Sequence, residues 1–142
     1  HLNLRMTKTI DEGAAKSEDR RLFRTKTRVR YAETDATGIA YYASYFLYFE
    51  LGRIEMFREL GLPYDKRLPI AETYCRYHAS AVFDDLLEIH TAIEKVRDKG
   101  FQIAHRVSRK QDGELLAEGY TVMVTVDEQG KPIPLPKKYL EE

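Results

Sequence analysis

From Phe23 the chain alternates, with Phe23, Thr25, Thr27, Val29 and Tyr31 on one side and Arg24, Lys26, Arg28 and Arg30 on the other. A period of two is that of a half-buried strand. The period then lengthens. Tyr45, Phe46, Phe49, Gly52, Arg53, Met56, Phe57 and Leu60 recur at three- and four-residue spacing, which predicts one helix over 44–60 with a largely apolar face. Ser44 is the expected N-cap, Gly61 stands where a terminating glycine belongs, and Pro63 prevents continuation. Such a helix is ~25 Å long, enough to cross a sheet. Gly52 in its middle would let the backbone approach the layer beneath. The stretch between, Asp35 to Tyr42, contains Gly38 and reads as a loop.

Beyond the helix the pattern is strand and turn throughout. Pro69 to Ala81 is a run of aromatic and small residues. Leu87, Ile89, Thr91 and Ile93 alternate with polar positions, as do Phe101, Ile103, His105 and Val107, and then Tyr120, Val122, Val124 and Val126. Turn signals at Arg97 to Gly100, Lys110 to Gly113 and Asp127 to Gly130 separate or close these runs. The prolines from Pro132 to Pro136 make the tail extended. The predicted order is one strand, one long helix and four antiparallel strands, a two-layer α+β domain. A single sheet on one helix leaves edges open, so pairing with a second copy is expected.

Composition narrows the picture further. A chain of 142 residues with 43% hydrophobic positions supports one ordinary domain. Residues 1–20 are polar and without periodicity, and are expected to be a disordered tail; the domain is expected over 21–142. His1 to Arg5 read as a remnant added ahead of the natural start at Met6, with no apolar segment that would mark a signal peptide. Lys plus Arg and Asp plus Glu both total 23, so no global field gathers nucleic acid or an anionic membrane. The stretch Gly38 to Leu51 is interrupted by Ser44, Glu50 and several tyrosines and is not a membrane span. Cys75 is the only cysteine, which excludes an internal disulfide and suits the cytoplasm. No spacing of His and Cys suggests a metal site.

The run Val29-Arg-Tyr-Ala-Glu-Thr-Asp-Ala-Thr-Gly-Ile-Ala-Tyr-Tyr-Ala-Ser-Tyr45, followed by a long aromatic helix, resembles the acyl-CoA thioesterases of the 4-hydroxybenzoyl-CoA thioesterase type. That group includes the enzymes associated with the Tol-Pal system. A second match, Phe83-Asp-Asp-Leu-Leu-Glu-Ile, looks like the family's start of the strand after the helix-covering strand. The resemblance covers roughly Phe23 to Pro136. It implies a hotdog fold, an antiparallel five-stranded sheet wrapped around one central helix, with active sites at a dimer interface and homotetramers common. It implies thioester hydrolysis with no cofactor beyond the CoA of an acyl-CoA substrate. Many relatives have His where this chain has Tyr42, while the hydroxybenzoyl-CoA enzymes carry Tyr there, which tilts the expected acyl group towards aromatic ones. Relatives often have Pro at the position of Ser80, a difference of packing. The dehydratase branch of the fold uses a His on its helix, and none occurs between Gly38 and Leu60.

Thioester hydrolysis needs a carboxylate and a group to stabilise the developing oxyanion. The loop from Asp35 to Ser44 sets an acid beside a helix N-terminus, where backbone N–H groups are unpaired and the dipole is positive. Asp35 is the expected catalytic acid, because the motif puts the acid there; Glu33 competes, since strand alternation would put it on the same side. The Tyr42 N–H is the expected donor to the carbonyl, and Gly38 gives the loop freedom to bring substrate and donors together. Tyr41 is expected to pack, and Tyr45 and Tyr48 belong to the core or a dimer interface. Matching of the run Pro69 to Asp85 assigns Thr73 to the acyl pocket. Arg97 and Lys99 fit the family's basic cluster for the CoA phosphates, although Asp98 stands where some relatives have a second Arg. Lys131, Lys137 and Lys138 are further candidates. Two alternatives are the same hydrolysis on acyl carrier protein thioesters, and a hotdog module that binds acyl-CoA or a protein without turnover.

Overall fold

The computed structural model of the chain describes residues 21–140; the expected tail and the start at Met6 lie outside the described residues. Strand β1 (Phe23–Arg28) leads through a 3-10 turn at Tyr31–Glu33 to helix α1 (Ser44–Leu60). Strands β2 (Ile70–Tyr77), β3 (Leu86–Arg97), β4 (Gly100–Arg109) and β5 (Leu115–Val124) follow, then a second 3-10 turn at Lys137–Tyr139. The sheet order is β1-β3-β4-β5-β2, with every pairing antiparallel. One long helix lies against five antiparallel strands, the hotdog arrangement that the resemblance implies. No described helix is long and apolar enough to cross a membrane.

Three boundaries differ from the periodicity. The first strand stops at Arg28 and Tyr31 turns outward, because the chain enters the 3-10 turn and Val29 pairs with Asp84 and Asp85 instead. Strand β5 begins at Leu115, five residues before its alternation becomes visible, since Leu115-Leu-Ala-Glu-Gly119 shows no clear period. The helix cap is Ala43, not Ser44: Ser44 is already helical, and its hydroxyl donates to the Glu33 carbonyl at 2.9 Å. Gly61 ends the helix in the left-handed region as expected, at φ 71°.

The core divides along α1. Tyr45, Tyr48 and Phe49 pack with Val29, Leu87, Ile89, Val107 and Leu116, and Met56, Phe57 and Leu60 pack with Phe101, Ile103, Met123 and Tyr139. Between them runs a buried polar band, Arg53, Thr91, His105 and Thr121. Gly52 faces this band, and a methyl group there would overlap the Thr91 hydroxyl, so the helix approaches as closely as the missing side chain allows. The helix rests mainly on β1, β3 and β4. Strand β2 is left as an edge, exposed along nearly its whole length.

Candidate active site

The approach to α1 is fixed by one buried carboxylate. Glu33 is 5% exposed. One of its oxygens accepts from the Arg30 N–H at 3.0 Å and the Tyr48 hydroxyl at 2.9 Å, and the other accepts from the Arg30 guanidinium at 2.8 Å. Burial pushes its pKa up, but the bonds from Arg30 and Tyr48 outweigh that and hold it below the usual range. The phenol of Tyr48 is pushed up by burial and by Glu33. The Glu33 carbonyl also accepts from the Tyr41 N–H at 2.8 Å, beside the Ser44 hydroxyl. The side chain and carbonyl of this residue tie Arg30, just after β1, to Tyr41, Ser44 and Tyr48 at the start of α1, which is the bonding of a scaffold residue.

Two residues on, Asp35 is placed differently. Its Oδ1 accepts from the Thr37 hydroxyl at 2.6 Å and the Thr37 N–H at 2.8 Å. The loop closes on itself: the Asp35 N–H donates to the Ile39 carbonyl at 2.9 Å, and Gly38, at φ 86°, returns an N–H to the Asp35 carbonyl at 3.0 Å. That left-handed backbone is the reason a glycine stands there. The Thr37 hydroxyl, then its N–H, and more weakly the Ile39 backbone, hold the Asp35 carboxyl below the usual range, so it is ionised at neutral pH.

Asp35 borders a cleft of about 320 Å³, lined also by Ile39, Ala40, Tyr42, Tyr45, Tyr77, His78, Ala79 and Ser80. Tyr77, from the end of β2, donates to the Tyr42 carbonyl at 2.8 Å, and its ring meets Tyr45 edge-on at 5.3 Å. His78 sits 2.9 Å from the Glu118 carboxylate. The N–H groups of Ser44, Tyr45 and Phe46 are taken by the carbonyls of Tyr41, Tyr42 and Ala43. Among the described residues those of Tyr42 and Ala43 have no acceptor, and they lie at the positive end of the helix. The Tyr42 side chain is 62% exposed and rests on Tyr41 at 4.6 Å; Tyr41, expected to pack in the interior, is likewise on the surface. Tyr45 and Tyr48 are buried in the core, Tyr45 also facing the cleft.

The remaining predicted residues are not gathered here. Thr73 lies on β2 four positions before Tyr77, its hydroxyl 3.2 Å from the Tyr120 carbonyl and 3.5 Å from the Thr121 hydroxyl. Arg97 and Lys99 form the tip of the β3–β4 hairpin, whereas the Asp35 loop is tied near the opposite end of β3 through Ile39 and Val82. A strand of 12 residues puts about 35 Å between the two ends. The hairpin tip adjoins a basic end of the molecule, where Lys66, Arg67 and Lys138 border a second recess and Lys138 reaches Asp65 at 3.4 Å. Cys75 is half-buried on β2 against the core, and burial pushes its thiol up.

Sequence reasoning missed Thr37, Tyr77 and His78. The Asp-Thr spacing that makes Thr37 a local partner was available, but β2 gives no alternation because both of its faces are open. The Phe83-Asp-Asp match acts through structure. Asp84 takes φ 72°, and Asp85 accepts from the Val82 N–H at 2.9 Å and Arg109 at 3.3 Å, which sets Val82 against Ile39 beside the cleft.

Comparison with known proteins agrees with this geometry. The model of the thioesterase-like superfamily matches residues 29–142. The acyl-CoA thioester hydrolase YbgC of Escherichia coli O6:H1 is 34% identical over 128 residues, covering 85% of this chain and 95% of that protein. Among solved structures, a DHNA-CoA thioesterase from Staphylococcus aureus superposes with TM-score 0.76 at 26% identity, over 83% of each chain. A mutant 4-hydroxybenzoyl CoA thioesterase complexed with 4-hydroxybenzoyl CoA superposes with TM-score 0.74 at 25% identity, over 84% of this chain and 96% of that one.

Proposed function

The chain belongs to the thioesterase-like superfamily and is a thioester hydrolase, and from that premise we propose that it cleaves a short-chain or aromatic acyl-CoA to the free acid and CoA. The observation that carries the proposal is the cleft bordered by an ionised Asp35 and by Tyr42, at the helix end where the N–H groups of Tyr42 and Ala43 have no acceptor among the described residues. The thioester carbonyl takes those N–H groups, whose dipole end is worth most as negative charge develops on the oxygen. Two routes use the same carboxylate. In one, Asp35 Oδ2 attacks the carbonyl carbon, the C–S bond breaks, CoA leaves as thiolate, and water hydrolyses the mixed anhydride. In the other, Asp35 takes a proton from a water that attacks the carbonyl, and the collapsing intermediate expels the thiolate, which takes up that proton.

Strand β2 supports a homodimer, in which a second copy pairs with the exposed edge and covers the cleft. In that assembly Arg97 and Lys99, about 35 Å from Asp35 along their own sheet, hold the CoA phosphates of a neighbouring copy's site. The lone Cys75 favours the cytoplasm. The test is thiol release from a panel of acyl-CoAs with DTNB. Asp35→Asn should lose about 10²–10⁴-fold in kcat/KM with the fold intact. Near-normal activity in that variant, or no release from any acyl-CoA by the wild type, overturns the reading.

A further inference from the structure

The polar band in the middle of α1 holds a charge that the fold does not balance. Arg53 is 4% exposed, and no carboxylate meets its guanidinium among the described residues. Its contacts are two long ones, 3.4 Å to the Thr121 hydroxyl and 3.3 Å to the Tyr64 hydroxyl, and its Nε has no acceptor. Thr121 is shared with His105, whose Nε2 stands 3.0 Å away, and with Thr73. His105 is kept neutral by burial and then by Arg53, so it supplies no negative charge. A guanidinium buried in this way is costly unless an anion reaches it.

The register puts this band and the cleft on one side of the sheet. Thr73 stands opposite Thr121, Cys75 opposite Gly119 and Tyr77 opposite Ala117, so alternate β2 residues share the helix side of the sheet. Tyr77 lines the Asp35 cleft, and Thr73 stands beside the hydroxyl that Arg53 touches. Four strand residues span about 13 Å, the reach of a medium-length acyl chain. Helix α1 rests on the other half of the sheet, which leaves this strip uncovered in the single chain.

We infer that Arg53, with Tyr64, Thr73 and Thr121, forms the far end of the acyl site and selects acyl groups that end in a carboxylate. The inference rests on the thioesterase reading, with Asp35 holding the thioester end and Arg53 the other. A fork of planar donors suits a terminal carboxylate, and the threonine and tyrosine hydroxyls complete its hydrogen bonds. A methyl-ended chain of equal length would leave the guanidinium unpaired, which is how a polar site rejects an apolar analogue.

The experiment compares matched pairs of CoA thioesters, adipyl with hexanoyl and suberyl with octanoyl, by thiol release. The wild type is expected to favour the carboxylate-ended member by about 10- to 100-fold in kcat/KM. Arg53→Met should abolish or reverse that ratio while still cleaving the methyl-ended member, and Arg53→Lys should keep part of it. Equal use of both members by the wild type overturns the inference even if no variant folds, and leaves the thioesterase reading standing. A parallel loss on both members in Arg53→Met, or dissociation of an oligomer on that substitution, shows a structural or partner-facing arginine and overturns it too. Failure to cleave any thioester removes the thioesterase reading, and this inference with it.

Discussion

The start of α1 and its middle each bury a charged group, and they treat it in opposite ways. Glu33 at the start receives donors on both oxygens, from the Arg30 N–H, the Arg30 guanidinium and the Tyr48 hydroxyl. Arg53 in the middle has two long contacts to neutral hydroxyls, and beside it Thr91 Oγ1 and His105 Nδ1 lack partners altogether. A buried charge whose bonds are complete belongs to the scaffold, because its energy is already committed to one geometry. One whose bonds are incomplete is a standing cost that only something outside the described chain can offset. The same contrast separates Glu33 from Asp35 at closer range, since the Asp35 carboxylate is bonded only within its own loop, at the border of the cleft.

The widest separation between scaffold and site comes from neutralising the two neighbouring acids. Asp35→Asn should lose about 10²–10⁴-fold in kcat/KM, with an unchanged urea midpoint, since the side chain holds only its own loop. Glu33→Gln should do the reverse. It loses the charge that Arg30 and Tyr48 are arranged around, and is expected to cost about 1–3 kcal/mol of stability, read by urea denaturation at neutral pH. Residual kcat/KM, corrected for the folded fraction, should stay within a few-fold. A stable Glu33→Gln protein without activity would reverse the assignment of the two carboxylates.

How far the sequence reaches follows the same division. The helix bounds, the order of elements along the chain and the Asp35 loop were legible because each rests on a period or a punctuating residue within a few positions: Gly61, Gly38, the alternation of β3 and β4. The capping role of Ser44 was not, since its hydroxyl turns back to a carbonyl 11 residues earlier. The surroundings of Glu33 were not legible because the alternation that set it beside Asp35 stops at Arg28, where the chain turns. The contributions of Tyr77 and His78 depend on β2 crossing to the far edge of the sheet, and the charge imbalance at Arg53 depends on what is absent around it in space. Helical spacing gave that residue only a place on the buried face.

Acid unfolding probes the polar band against the middle of the helix. His105 is held down to about 3, first by burial and then by Arg53. In the unfolded chain a histidine titrates near 6.5. Between those values the unfolded chain binds a proton that the native chain refuses, so stability falls as the pH drops through that window, by up to about 1.4 kcal/mol per pH unit, and is unaffected above it. Urea midpoints at pH 7, 6 and 5 read the slope, and the lowered carboxyls Glu33 and Asp35 titrate below that range. His105→Asn should flatten the slope; an equal slope in that variant would place the acid sensitivity elsewhere.

The smallest expected change is the most discriminating for the contrast. Arg53→Met replaces a guanidinium by an apolar chain of similar length, next to Phe57 and Phe49 one turn to either side. If the charge were paired within the fold, its removal would leave a buried partner stranded and cost about 3–5 kcal/mol. Since no carboxylate stands there among the described residues, the ligand-free protein should change by less than about 1 kcal/mol, or gain stability as the desolvated charge disappears. Thermal unfolding with and without a bound dicarboxylic acid such as adipate separates the cases. The wild type should be stabilised by the diacid and the methionine variant should not, so that the two melting curves converge only when the ligand is withheld.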